Sequence, residues 1–158
     1  MKRLLNFLII GTAVGLLASC GGSSDNNNES ADDGTAEVQS MVEEAPDPME
    51  NKGIGPVSAV TLGDLDQEMA DVGEEKFKAL CSACHKTDKK FIGPSPQGVL
   101  DRRSPEWVMN MIINPEEMIQ KDPIARQLLI DFNGAPMANQ NVSEEDARAI
   151  LEYFRTLN

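Results

Sequence analysis

Five consecutive residues, Cys81-Ser82-Ala83-Cys84-His85, hold the chemistry this chain can do. Two thiols separated by two residues, with a histidine immediately after, have the spacing of a covalent haem attachment site. Each thiol can add across one haem vinyl group and leave a thioether. The imidazole that follows then reaches the iron. On a helical turn, positions i and i+3 share one side, so both thiols face the same way. Two other readings use the same residues. A structural zinc needs four ligands, but outside the pentad the chain has only Cys20 and no second histidine. A thiol–disulfide exchange pair usually opens a helix after a strand, and no strand pattern precedes Cys81. The haem reading is the one these residues favour.

An iron held by one histidine has a second axial position. Filled by a strong ligand, it carries electrons; left open, it binds gas or peroxide. His85 is the chain's only histidine. Methionine is then the natural second ligand, and its thioether raises the reduction potential. Met69, Met109 and Met111 lie on apolar helical stripes, where packing is the default role. Met118 stands beside a proline turn and remains a competitor. Met137 sits in Asn133-Gly134-Ala135-Pro136-Met137-Ala138-Asn139, a proline-stiffened irregular loop between two helices. Such a loop aims one sulfur in one direction, and Met137 is the expected ligand.

The elements that must position these groups read as helices throughout. Leu62, Leu65, Met69 and Val72 recur at helical spacing, with Thr61 as N-cap. A second helix runs from about Gly73 through Phe77 and Leu80 into the pentad. Phe91-Ile92-Gly93-Pro94 is a loop. Ser104-Pro105-Glu106 starts the next helix, with a capping serine and proline at the first position. Asn114-Pro115 and Asp122-Pro123 repeat that signal, and Asn133-Gly134 stops the helix begun at Asp122. Ser143 opens a last helix striped by Ala147, Ile150, Leu151, Phe154 and Leu157. No convincing strand pattern exists, so the fold class is all-α, wrapped around one covalently bound haem. A domain this small has a limited core, and a porphyrin would fill it.

The 158 residues allow one domain plus extensions. Lys2 and Arg3 precede the short apolar run Leu4 to Ala18, which reads as a secretion signal rather than a membrane span. Leu17-Ala18-Ser19-Cys20 looks like a bacterial lipobox, in which Cys20 is lipidated; ordinary signal cleavage nearby is the alternative. With Cys20 taking lipid and Cys81 and Cys84 taking haem, no thiol is left over. Residues 21–52 carry nine acids against one lysine and little to bury, which reads as a disordered acidic tether. Of the net charge of −12, about −6 then belongs to residues 53–158, so nucleic-acid binding is not expected. The expected organisation is a signal over 1–19, lipidated Cys20 and tether over 20–52, a helical extension over 53–72 and a haem domain over 73–158.

These residues together resemble a class I cytochrome c from Gly73 to Asn158. Gly73 and Phe77 stand where that family crosses its first and last helices, and Ile150, Tyr153 and Phe154 supply the other side. The resemblance implies that the Pro94 carbonyl accepts the Nδ1 proton of His85. It also implies a haem propionate near Arg102 and Arg103, with Arg102 taken as the contact and Trp107 as a second donor or a core residue. One departure is that Pro136 precedes Met137, whereas the family commonly places proline after its methionine. The stretch Glu106 to Pro115, with the Met137 segment, is similar to small cytochromes found alongside bacterial nitrous oxide reductases.

The resemblance implies haem c as cofactor and single-electron transfer as function. The expected protein is exported, lipid-anchored to a bacterial membrane, and faces the periplasm or cell exterior. Its expected partners are a quinol-oxidising complex or another cytochrome as donor and a terminal reductase or oxidase as acceptor. Lys76, Lys78, Lys86, Lys89 and Lys90 are expected to form a basic rim that steers an acidic partner. A haem sensor or small peroxidase-like enzyme is the alternative; it requires an open sixth position.

Overall fold

The computed structural model describes residues 46–157. The signal, Cys20 and the tether up to residue 45 lie outside the described residues. The described residues contain α1 (Gln67–Leu80), α2 (Pro105–Ile113), α3 (Pro115–Lys121), α4 (Pro123–Asp131) and α5 (Glu144–Arg155), with a 3-10 turn over Val99–Asp101. There is no strand among them. No described helix is long and apolar enough to cross a membrane.

Local chemistry explains most helix starts. Ser104, Asp122 and Ser143 each accept a backbone N–H from the first turn, at 3.1, 2.8 and 3.1 Å. Such a cap contributes about 1 kcal/mol. Pro105, Pro115 and Pro123 occupy first helical positions, where a missing N–H costs nothing. Asn114 departs from the pattern: its amide donates to Glu117 at 2.7 Å instead of capping. At the end of α4, Asn133 and Gly134 both have positive φ, and the Gly134 N–H closes on the Leu129 carbonyl at 2.8 Å.

The core is the crossing of α1 and α5. Phe77 meets Tyr153 at 5.6 Å between ring centroids and Phe154 edge-on at 5.7 Å. Gly73 is where the two backbones touch. A Cβ there would sit 1.9 Å from the Ala149 carbonyl oxygen. Only glycine permits that approach.

The N-terminal part differs from its sequence reading in two ways. The helix expected from Leu62 does not form; α1 begins at Gln67, capped by Asp66 rather than Thr61, and runs unbroken through Gly73. Leu65 and Val72 are exposed rather than buried. The segment 53–66 therefore carries no helix, and only 67–72 of the expected extension is helical. Nor does the tether run free to residue 52. Asp47 to Asn51 make a turn closed by a 2.8 Å backbone bond, and Asn51 contacts Asp122.

Residues 51–66 form a strap across α2, α3 and α5. Buried side chains, not a neighbouring backbone, satisfy its polar groups. The Val57 N–H donates to Asn110 Oδ1 at 3.0 Å, and the Asn110 amide returns bonds to the carbonyls of Lys52 and Val57. The Val60 N–H donates to Glu106, and the Asp66 N–H donates to Glu152. That replaces the helix: the strap's N–H groups are spent on distant partners.

Glu152 is fully buried and held by Arg148, Arg155 and the Asp66 N–H. Burial pushes its carboxyl up, but the Asp66 hydrogen bond and the two guanidinium groups outweigh burial and hold it below the usual carboxylate range. A depressed folded value stabilises above the unfolded value and is lost as pH falls through the folded one. Glu152→Gln should cost about 3 kcal/mol at neutral pH. Urea unfolding across pH should show that gap narrowing below about pH 4; a gap constant down to pH 3 would contradict this role.

Candidate haem site

The pentad follows directly from α1. The Cys81 carbonyl accepts the N–H groups of both Cys84, at 3.0 Å, and His85, at 2.9 Å. One turn thus presents both thiols and the imidazole. The chain then loops out and returns, and the Gly93 N–H donates to the Cys84 carbonyl at 2.9 Å. That closure places Pro94 against the histidine. His85 Nδ1 lies 2.8 Å from the Pro94 carbonyl oxygen. A carbonyl only accepts, so Nδ1 carries the proton, and in the neutral ring the Nε2 lone pair is free for a metal. Gly93 is required here: a Cβ would come 2.4 Å from His85 Cε1.

His85 opens onto an apolar cleft with two adjoining lobes. Cys81, His85, Pro94, Trp107, Met111, Leu128 and Met137 line both. Walls of this kind, mostly apolar with a few polar groups, are those of a cofactor site.

Two cations, Arg102 and Arg103, line the first lobe. The Arg102 guanidinium is committed to the Gln97 and Ser95 carbonyls. Arg103 is different. Its Nε is the one buried side-chain nitrogen or oxygen without a hydrogen-bond partner among the described residues. Burial and then the neighbouring Arg102 lower its pKa, while Asp122 raises it. Its Nη1 donates to the Arg102 carbonyl; a guanidinium beside an apolar cleft suits a carboxylate, and a porphyrin bears carboxylates on otherwise apolar edges. The residues present therefore fit haem, with two arginines at the first lobe where its carboxylates would need cations. Trp107 is not a second donor: its ring packs in the core and its indole N–H goes to Asp122 Oδ1 at 3.1 Å.

The methionines sort by position. Met118 is fully buried away from the cleft, and its sulfur accepts the Ile54 N–H at 2.9 Å. It is not placed to compete. Met109 is buried and lies off both lobes. Met137 reaches both lobes from its loop, but so does Met111 from α2. Met111 was legible only as a helical stripe residue, because nothing local marks which side of α2 meets a cofactor.

The other chemistries fare poorly in this geometry. Burial, with Cys84 adding to it, pushes the Cys81 thiol up to about 11, whereas thiol exchange needs a lowered value. Among the described residues no three His, Cys, Asp or Glu side chains converge as a metal site would require.

A cytochrome c family model matches residues 70–158. Cytochrome c from Rhodothermus marinus is a similar solved structure, 45% identical with a TM-score of 0.63, covering 65% of this chain and 89% of that one. An engineered cytochrome c from the same organism is 44% identical with a TM-score of 0.62, covering 65% and 90%. The cytochrome c domain of the pp3183 protein from Pseudomonas putida is 29% identical with a TM-score of 0.50, covering 53% and 85%. No curated protein matches the chain. The pentad, the apolar cleft with its two arginines, and the helical frame all agree with this match: the chain belongs to the cytochrome c family and takes covalently bound haem c.

Proposed function

We propose that this protein is a membrane-tethered monohaem electron carrier whose haem is joined to Cys81 and Cys84 and whose iron is held by His85 and Met137. Electron transfer is the general role of the family. The observation that supports this ligand pair is that His85 and Met137 line both lobes of one apolar cleft. Haem iron supplies the one-electron couple. Pro94 orients the imidazole and makes Nε2 a stronger donor. Met137 approaches from a loop stiffened by Pro136, whereas Met111 is fixed on a helix whose neighbours are buried. The apolar walls exclude water and favour the less charged state of the iron site.

The tether reading rests on the lipobox at Cys20 and the acidic stretch behind it. It places the carrier on the outer side of a bacterial membrane, between a quinol-oxidising complex or another cytochrome and a terminal reductase or oxidase. The resemblance of Glu106 to Pro115 to cytochromes found with nitrous oxide reductases names one such acceptor. Most of those side chains are buried, so they speak for a shared interior more than for a shared docking face.

The docking face is better sought among the lysines, and the structure splits the expected rim. Lys76 pairs with Asp146 and Lys78 with Glu74, each at 2.9 Å. Lys86 and Lys90 instead lie over the rings of Phe91 and Phe132, at 5.1 and 4.3 Å. With Lys89 and the exposed Phe91 and Ile92, they flank the loop that returns to Cys84. An acidic partner with an apolar centre suits that face.

Two measurements follow. Visible spectra of the holoprotein with and without carbon monoxide should show low-spin iron indifferent to the gas. Met137→Ala should open the iron to carbon monoxide, and Met111→Leu should not; a wild-type protein that binds the gas would mean an open sixth position and a sensor or peroxidase-like role. Separately, Lys86→Glu with Lys90→Glu should slow transfer to an acidic acceptor at least tenfold at low salt, with the difference shrinking as salt rises. A rate insensitive to both would remove the steering face.

A further inference from the structure

The strap begins with a contact that points at the cleft. The Asn51 amide donates to Asp122 Oδ2 at 2.6 Å. Asp122 is only 2% exposed, and its Oδ1 accepts the Trp107 indole N–H at 3.1 Å and the Ala125 N–H at 2.8 Å. Asn51 is itself held in place. Its carbonyl accepts from Ser104 Oγ at 2.6 Å, and its Oδ1 accepts the Gly53 N–H at 2.8 Å. Trp107 lines both lobes of the cleft. Three side chains thus connect a segment upstream of the family match, which begins at residue 70, to the cofactor wall.

We propose that Asn51 is a positioning residue for the haem site, acting through Asp122 to fix the ring of Trp107 and thereby the reduction potential. The proposal rests on the haem reading of the cleft. The indole N–H is the one polar handle on that ring, and Asp122 is what holds it. Asp122 is in turn steered by one donor from its own helix start, Ala125, and one from the strap, Asn51. Removing the strap's donor leaves one carboxylate oxygen unpaired in a buried place. The carboxylate and the ring then gain freedom, and water gains access to the wall. Water at the loosened wall favours the ferric state, so the potential falls.

The test is the midpoint potential of the full-length holoprotein in five forms: wild type, Asn51→Ala, Trp107→Phe, the double variant and Val57→Ala. Asn51→Ala should lower the ferrous-to-ferric ratio at fixed solution potential about threefold, a shift of about 30 mV at 59 mV per tenfold. In the Trp107→Phe background, which lacks the indole N–H, Asn51→Ala should shift nothing further. Val57→Ala loosens the strap elsewhere, in the core against α2; it should lower unfolding stability and leave the potential alone. An unchanged potential in Asn51→Ala, an equal shift in both backgrounds, or an equal shift in Val57→Ala would each overturn the proposal. A preparation with no covalently bound haem would overturn the underlying reading instead, and this one with it.

Discussion

His85 has two ring nitrogens, and the fold gives each a separate task. The Pro94 carbonyl takes the Nδ1 proton at 2.8 Å and leaves Nε2 as a lone pair. That bond exists because the loop after the histidine turns back at Gly93, where no side chain fits beside the ring. The same return is tied to Cys84 by the Gly93 N–H. Ligand direction, thiol placement and the mouth of the cleft are therefore one arrangement. A change at Gly93 or Pro94 would disturb all of them together.

Behind that turn, the structure is shaped by a cleft that protein side chains alone do not fill. The α1–α5 crossing closes one side through Phe77, Ile150 and Phe154, and it depends on Gly73 lying against the Ala149 carbonyl. Helix α2 and the Met137 loop supply other walls. The strap covers the outside of this shell. Beside the apolar contacts of Val57, it is held by polar, directional ones to Asn110, Glu106, Asp122 and Glu152. Buried groups of this kind give register more than raw stability, which suits a segment that must lie in one place without helical bonds of its own.

What was legible in the sequence was local. The Ser104-Pro105, Asp122-Pro123 and Ser143 starts act through residues two or three positions away, and each forms where its signal stands. The pentad is read the same way. The helix expected at Leu62 failed because its competitors are remote: Val57 binds Asn110 and Asp66 binds Glu152, 53 and 86 residues later. Period alone cannot register such partners. The different partners of Arg102 and Arg103 were likewise beyond sequence, since adjacent arginines differ only in what folds back onto them. Met111 entered the cleft wall, and Met118 left contention, for the same reason.

One haem bonded to Cys81 and Cys84 is read out by the intact mass of the full chain made with haem-attachment machinery and then denatured. The chain should carry the mass of one haem that survives denaturation, and should lack it when both cysteines are changed to alanine. A haem lost on denaturation, or a wild-type chain whose mass shows two free thiols at these positions, would contradict it.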